Sequence, residues 1–466
     1  MQAFKLSNSI NLKSMIKKIT PLYLWALFFF YSLICGIIFF EFVIPSISSL
    51  HAPGSSLTPD STYFNEVAIK LANDINLHGW TSWKLYPSIA ASGQSSYLAI
   101  LYVFFGVHPL YAVAFNAFFH AFSGVLIYLI ALEVLGVKNF SKYAAFFSAS
   151  LFVVFPSAMT WVGQIHKEAC LSTGLLLALW GIIKILSNKS ERHIAISIFS
   201  ALILSLILIS SMKPYMLQEL AVIILIIIAL QCIKIFPSNL LTVGVLGAYF
   251  LSTIFIFMFI NKGPDSGLVA GPDSGWLSGE AFIQHNSPWK RLDYLPEFFD
   301  RKIQAIASSR VAAISSGLAI NANSLIDIDI KPANAIETFQ YTPRALQVSL
   351  LAPFPNMWFK SGNIVSLVSA LEMIIFYITF FGLLFFIPLR IFNYKILLCL
   401  IFACLPLAVF GISSPNIGTL YRIRYTFEMM LLMLGNCGWA IMINKLKLGR
   451  PGKPKLDFDN KSDKNA

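Results

Sequence analysis

LYLWALFFFYSLICGIIFFEFVIPSI, residues 22–47, holds a single charged residue, Glu41. A helix needs about 20 consecutive apolar residues to cross the hydrocarbon core of a bilayer, so this run is long enough to span one. It is too long for the core of a cleavable signal and is followed by no convincing cleavage site. The expectation is that it stays in the chain as an anchor, preceded by the polar, basic residues 1–18. Further apolar runs lie at 109–135, 142–161, 168–187, 193–211, 215–235, 239–260, 364–389, 395–413 and 425–443. With 23–47 they make about ten spans. The fold class expected is an all-α membrane protein, a polytopic helical bundle with amphipathic helices on its outer face.

Composition points the same way. Hydrophobic residues make up 57% of the 466 and charged residues 12%, with a mean hydropathy of +0.72, against about 45–50% and about 25% in globular domains. The net charge of +12 invites a nucleic-acid reading, but the cations cluster in short segments between apolar runs and in the tails. That is the pattern that orients helices in a membrane, and no nucleic-acid partner is expected. Lys5, Lys13, Lys17, Lys18, Lys138, Lys142, Lys184, Lys189, Arg192, Lys234, Arg390, Lys395, Lys445, Lys447 and Arg450 all fall on one side, which places both termini in the cytoplasm. The six cysteines lie in or beside apolar runs without paired spacing, so neither a disulfide framework nor a metal knuckle is expected.

The chain divides accordingly. A cytoplasmic tail (1–22) leads into an N-terminal transmembrane module (23–261), whose first outer loop is 48–108. A large outer loop (262–362), the C-terminal helices (363–443) and a disordered cytoplasmic tail (444–466) follow. Residues 97–106 are apolar but too short to span, which suggests a helix along the outer interface or against the first loop. In the large loop, Trp289, Tyr294, Leu295, Phe298 and Phe299 suggest helices capping the bundle. The repeated Gly-Pro-Asp-Ser-Gly at 263–267 and 271–275 places Asp265 and Asp273 among glycines without the ligand density of a calcium loop.

The unusual polar residues gather on the outer side. Asp60, in Leu57-Thr58-Pro59-Asp60-Ser61-Thr62-Tyr63-Phe64, opens an amphipathic run at helical spacing through Val67, Ala68, Leu71, Ala72 and Ile75. It reads either as a helix N-cap or as a general base at the edge of the bilayer. His166, Lys167 and Glu168 stand before the fourth run: Glu168 suits a first helical turn and Lys167 suits an interface, or the three order an acceptor or hold a sugar. Lys213 and the pair Arg422 and Arg424 are cations on the side where orientation does not call for them. Arginine's planar fork matches phosphate oxygens, and Tyr421 and Tyr425 beside the pair suggest headgroup depth. Phosphate loops, His-Glu-x-x-His, Gly-x-Ser-x-Gly and dinucleotide fingerprints are missing. No cofactor and no metal site is expected.

The layout resembles the GT-C superfamily of integral-membrane glycosyltransferases. It is most similar to the bacterial, glycosyltransferase family 39-like branch of protein O-mannosyltransferases and the lipid A aminoarabinose transferase. The resemblance rests on Asp60-Ser61-Thr62-Tyr63, the 97–106 segment, His166-Lys167-Glu168, Lys213-Pro214-Tyr215 and the late outer arginines, and it is best over residues 20–220. Asp60 is followed by Ser61, where that branch more often has an Asp-Glu pair. The resemblance implies transfer of a sugar from a polyprenyl-phosphate donor to a glycan, lipid or protein acceptor at the outer face of a bacterial inner membrane, in cell-envelope polysaccharide or glycolipid synthesis. Asp60 would be catalytic; His166, Lys167, Glu168, Lys213, Arg422 and Arg424 would bind substrate, amid membrane lipids. The alternatives are a surface-polysaccharide polymerase or ligase, and a flippase or transporter of lipid-linked sugars. A transporter calls for ionisable residues deep in several spans; Glu41, Glu133, Glu219, Glu372 and Glu428 lie mostly near span ends.

Overall fold

The first apolar run forms helix α1, Pro21–Ile38, with Pro21 at its first position and the Thr20 hydroxyl accepting from Tyr23 N–H at 3.3 Å. It continues through a π-helical turn, Phe39–Val43, to make a span of Pro21–Ser46. In this computed structural model the described residues are 20–47, 57–88, 91–136, 139–187, 192–261, 289–319, 322, 324–359, 364–386 and 393–448. The Gly-Pro-Asp-Ser-Gly repeats and most of both tails lie outside them.

The remaining helices in chain order are α2 (Pro59–His78), α3 (Gly93–Phe105), α4 (Leu110–Leu135), α5 (Asn139–Val154), α6 (Pro156–Val162), α7 (Glu168–Leu186), α8 (Arg192–Met212), α9 (Met216–Cys232), α10 (Leu240–Asn261), α11 (Glu297–Ala319), α12 (Ala335–Leu351), α13 (Ile364–Phe381), α14 (Tyr394–Ser413), α15 (Ile417–Ile423) and α16 (Tyr425–Leu448). Among the described residues the only β pairing is an isolated bridge, Leu325 with Asn416. Each of the ten expected spans contains helix, but among the described residues eight helices are long and apolar enough to cross a bilayer, or nine if a bent pair counts as one. The bent pair is the expected span 142–161, which turns by 56° between α5 and α6. Pro156 has no N–H to continue the ladder and holds Phe155 in extended geometry, φ −58° and ψ 126°. The expected span 215–235 shortens to the 17 residues of α9. Lys234, at φ 61°, ends that helix, and Ile235 N–H returns to the Leu230 carbonyl.

One continuous apolar core joins α4, α5, α7, α8, α9, α14 and α16. Close backbone approaches fix two crossings. Gly435 and Gly438 of α16 face the carbonyls of Thr379 and Gly382, and Gly411 of α14 faces the carbonyl of Ala345 in α12. A side chain at any of these would strike backbone.

A second core lies under the first outer loop. Phe64, Ala68, Leu71, Ala72 and Ile75 of α2 pack on Leu98, Ala99 and Tyr102 of α3, so the 97–106 segment is a helix packed against the first loop. The large loop contributes α11 and α12. Arg310 of α11 is fully buried, donates to the carbonyls of Ile330 (2.8 Å) and Asp327 (2.6 Å), and lies 4.6 Å from the ring centre of Tyr341 in α12. Asp327 accepts twice from Arg344, at 3.0 and 3.1 Å. Beside this clasp, Ile326 N–H donates to the Pro415 carbonyl and Ile417 N–H to the Ser324 carbonyl. The large loop thereby holds the start of α15.

Candidate functional site

Asp60 is not the cap of α2. Thr58 occupies that position, leaving Asp60 in the first turn. The same turn is stitched to the loop before α7: Thr58 N–H donates to Gln164 Oε1 at 2.9 Å, and the Ser61 hydroxyl to the Ile165 carbonyl at 3.4 Å. Asn116 of α4 holds that loop from below, donating to the Gln164 carbonyl at 2.6 Å. Residues distant in sequence, 58–61 and 164–168, therefore share one ledge, with Asp60 at its rim.

Four further candidates converge there. Arg422, from the last turn of α15, donates to Asp60 Oδ2 at 2.6 Å, and its Nε stands 3.6 Å from Glu168 Oε1. Lys213 Nζ reaches the same Glu168 oxygen at 3.6 Å, while His166 Nδ1 lies 3.5 Å from Glu168 Oε2. Glu168 is thus the hub of two cations and an imidazole, while the Asp60 side chain is half exposed (53%) and Lys213 is 2% exposed. The Lys167 ammonium lies 5.7 Å from the ring centre of Phe64.

The cluster is under-satisfied. Glu168 Oε2, Lys213 Nζ and His166 Nε2 are buried without a hydrogen-bond partner, whereas buried polar atoms in folded proteins are nearly always paired. Glu168 and Lys213 border a narrow cleft, with Arg422 beside them at one end and Leu171, Leu175, Met216, Phe410 and Phe427 among its other walls.

Arg424 is not part of this cluster. It is fully buried, donates to the carbonyls of Ser349 (3.0 Å) and Ala352 (2.5 Å), and pairs with Glu428 at 3.0 Å. Its guanidinium lies 4.6 Å from the Tyr421 ring centre. Tyr421 and Tyr425 face inward rather than toward a headgroup layer. The Tyr421 hydroxyl donates to Glu372, whose other oxygen accepts from Ser157 N–H at 2.6 Å, and the Tyr425 hydroxyl donates to the Phe152 carbonyl. Burial, with the Glu372 carboxylate beside it, holds the Tyr421 phenol well above its ordinary pKa. Glu372, buried and contacting both α6 and α15, was named from sequence only among the glutamates weighed for a transporter and not as a site residue. Its one visible signal is a lone carboxylate within an apolar run.

No group of three or more His, Cys, Asp or Glu side chains suited to a metal ion occurs among the described residues. No protein-family model matches the chain, and no curated protein matches it. Solved structures do. The apo oligosaccharyltransferase of Archaeoglobus fulgidus superposes with a TM-score of 0.50 at 12% identity, over 94% of this chain and 52% of that one. The oligosaccharyltransferase AglB of the same organism, in complex with an inhibitory peptide and a dolichol-phosphate, gives 0.50 at 14% identity, over 95% and 53%. This chain spans about half the length of those proteins. It is a multi-pass helical protein with the GT-C-like fold of archaeal oligosaccharyltransferase.

Proposed function

We propose that this chain is a membrane glycosyltransferase that moves a sugar from a polyprenyl-phosphate donor to an acceptor at the outer face of a bacterial inner membrane. The observation that carries the reading is the make-up of the cleft. Lys213 and Arg422 flank Glu168 at its polar end, and the rest of its wall is mostly apolar side chains, with Tyr425 and Thr426 among them. A polyprenyl phosphate has the same division between an anionic head and a hydrocarbon chain. A fold shared with a protein solved in complex with a dolichol-phosphate supports a lipid-linked donor. In this reading the module 23–261 and the helices 363–443 supply the two sides of the cleft, and both termini are cytoplasmic.

The chemistry follows from the charges. An acceptor hydroxyl attacks the anomeric carbon while the bond from that carbon to the phosphate oxygen breaks, and the phosphate leaves with the electron pair. Asp60 takes the hydroxyl proton, a role worth about 10²–10⁴-fold. Arg422 and Lys213 stabilise the charge gathering on the phosphate. Arg422 also holds Asp60 at 2.6 Å, so a phosphate that draws the guanidinium away leaves the carboxylate to the acceptor.

The test uses the purified full chain in nanodiscs with polyprenyl-phosphate-linked sugars, following release of polyprenyl phosphate. Acceptor-dependent release that falls about 10²–10⁴-fold in Asp60→Asn is the expected result. No release from any such donor, with movement of labelled lipid between leaflets instead, would favour the transporter.

A further inference from the structure

Glu219 is a buried charged group that the transfer chemistry leaves unused. It stands in the first turn of α9, is 1% exposed, and neither of its carboxylate oxygens has a hydrogen-bond partner. Buried charges in folded proteins are paired and hydrogen-bonded, so a carboxylate left bare in this way calls for a reason.

Its register supplies one. Met216 N–H donates to the Lys213 carbonyl and Leu217 N–H to the Pro214 carbonyl, both at 3.0 Å, so the chain turns into α9 directly after Lys213. Glu219 follows Met216 by three residues, a spacing that puts both on one helix face. Met216 lines the cleft together with Lys213, and helical side chains tilt toward the helix N-terminus, which aims Glu219 back at the lysine. Lys213 is the charge that acts on Glu219. Helix α9 packs against α8, α10 and α14. The charged residues of those helices are Arg192 and His193 in the first turn of α8 and Lys395 in the first turn of α14. These turns lie at the ends remote from Lys213, and Lys395 is engaged by Glu133. The other titratable groups on the three helices are phenols and thiols, uncharged near neutral pH.

Lys213 therefore serves two carboxylates that differ in what else they have. Glu168 also faces Arg422 and His166, whereas Glu219 has Lys213 as its counter-charge among the described residues. Before a donor arrives, Glu219 favours the ammonium over the neutral amine to which burial drives a lysine. A phosphate that takes Lys213 over leaves Glu219 buried without a counter-charge, and a carboxylate so placed takes a proton. We propose that Glu219 is a positioning residue of the donor site, which holds Lys213 charged and takes up a proton from water when a lipid phosphate binds. The O–H bond formed on Glu219 is the one covalent change, and it breaks again when the phosphate leaves. One proton is consumed for each donor bound, so donor affinity falls as pH rises, by up to about tenfold per pH unit. The inference rests on the glycosyltransferase reading for the identity of the donor.

The experiment is independent of turnover. The full chain in nanodiscs is titrated with a prenyl phosphodiester that carries a methyl group in place of the sugar, so that its single charge does not titrate, and separately with farnesol. Binding is followed by infrared difference spectroscopy at pH values on both sides of neutrality. The expected result is a protonated-carboxyl band that grows with bound diester, and an apparent Kd that rises with pH by up to about tenfold per unit. Glu219→Gln should lose both the band and the pH dependence, Glu219→Asp should shift the band, and Asp60→Asn should keep it. The proposal is overturned by diester binding without the band, by the same band with farnesol, or by a band that persists in Glu219→Gln. Should Glu219→Gln not fold, Glu219→Asp decides, because an unshifted band there belongs to another carboxyl. The band without sugar transfer from any polyprenyl-phosphate donor would remove the transferase and leave the proton-coupled phosphate site; transfer without the band would do the reverse.

Discussion

At the scale of single residues the site turns on Glu168, which faces Lys213, Arg422 and His166 at 3.5–3.6 Å from a nearly buried position. Removing one partner of a buried charge pair costs about 3–5 kcal/mol because the other is left uncompensated. Glu168→Gln should therefore lower the apparent Tm in detergent sharply, and Glu168→Gln with Lys213→Met should recover much of it; additive losses would mean the two charges are uncoupled. Arg422 makes a different prediction. Arg422→Lys keeps the charge but loses the fork that spans Asp60 and a phosphate. Transfer should fall by about 10²–10³ while Tm changes little, since the Asp60 end of the pair is half exposed and such pairs add about 0–1 kcal/mol. Full activity in Arg422→Ala would move the phosphate site to Lys213. The sequence offered Arg422 and Arg424 as equals, but residues two apart on a helix point about 200° away from each other. One therefore reaches Asp60 and the other enters the core.

At the scale of elements, the short helix α15 carries Arg422, and everything around it is fastened. Its start is zipped to residues 324–326, Asn416 caps it by accepting from Thr419 N–H at 3.2 Å, and Tyr421 fixes its last turn to Glu372. Glu372 in turn accepts from Ser157 N–H at the break between α5 and α6, so the proline that bends the chain also exposes the N–H that anchors α15. Tyr421→Phe removes the hydroxyl and keeps the ring under Arg424. It should leave Glu372 short of a donor, costing about 1–3 kcal/mol, and should raise the donor KM several-fold as Arg422 drifts from the cleft. A lowered Tm with donor KM unchanged would assign the network to folding alone. These links explain what the sequence made legible. Apolar periodicity sufficed for the helices and for α2, because each buries a stripe set by its own residues, but it left α3 open between the outer interface and the first loop. The convergence of 60, 166–168, 213 and 422 depends on loops that meet across hundreds of residues. Side-chain hydrogen bonds decide that meeting, and no local pattern encodes it.

At the scale of the whole molecule, α7 measures the membrane. Its 19 residues span about 28 Å, close to the hydrocarbon thickness of about 30 Å, and its two ends carry opposite assignments. Glu168 begins the helix in the cluster with Asp60 and Arg422. Lys184, in the last turn, pairs with Glu133 at the end of α4, which also accepts from Lys395 of α14 at 3.0 Å. The proposed orientation makes this lysine-rich end, near the short segments that carry Lys142, Lys189 and Lys234, the cytoplasmic one. In the proposed orientation the cluster with Asp60 lies on the outer side, where lipid-linked sugars would meet their acceptors. The chain supplies its own reporter, since Cys232 is exposed at the end of α9 while Cys170, Cys399 and Cys437 are buried and the half-buried Cys35 and Cys404 lie within apolar spans. Because α9 begins just after Lys213, on the Glu168 side, Cys232 lies toward the Lys184 side. A membrane-impermeant thiol reagent applied from outside should miss Cys232 and label Lys290→Cys in a Cys232→Ser background; after the membrane is opened it should reach Cys232 as well as Lys445→Cys. Labelling of Lys290→Cys only from the cytoplasmic side would invert every helix and place Asp60 and Arg422 where no outer-face acceptor is found.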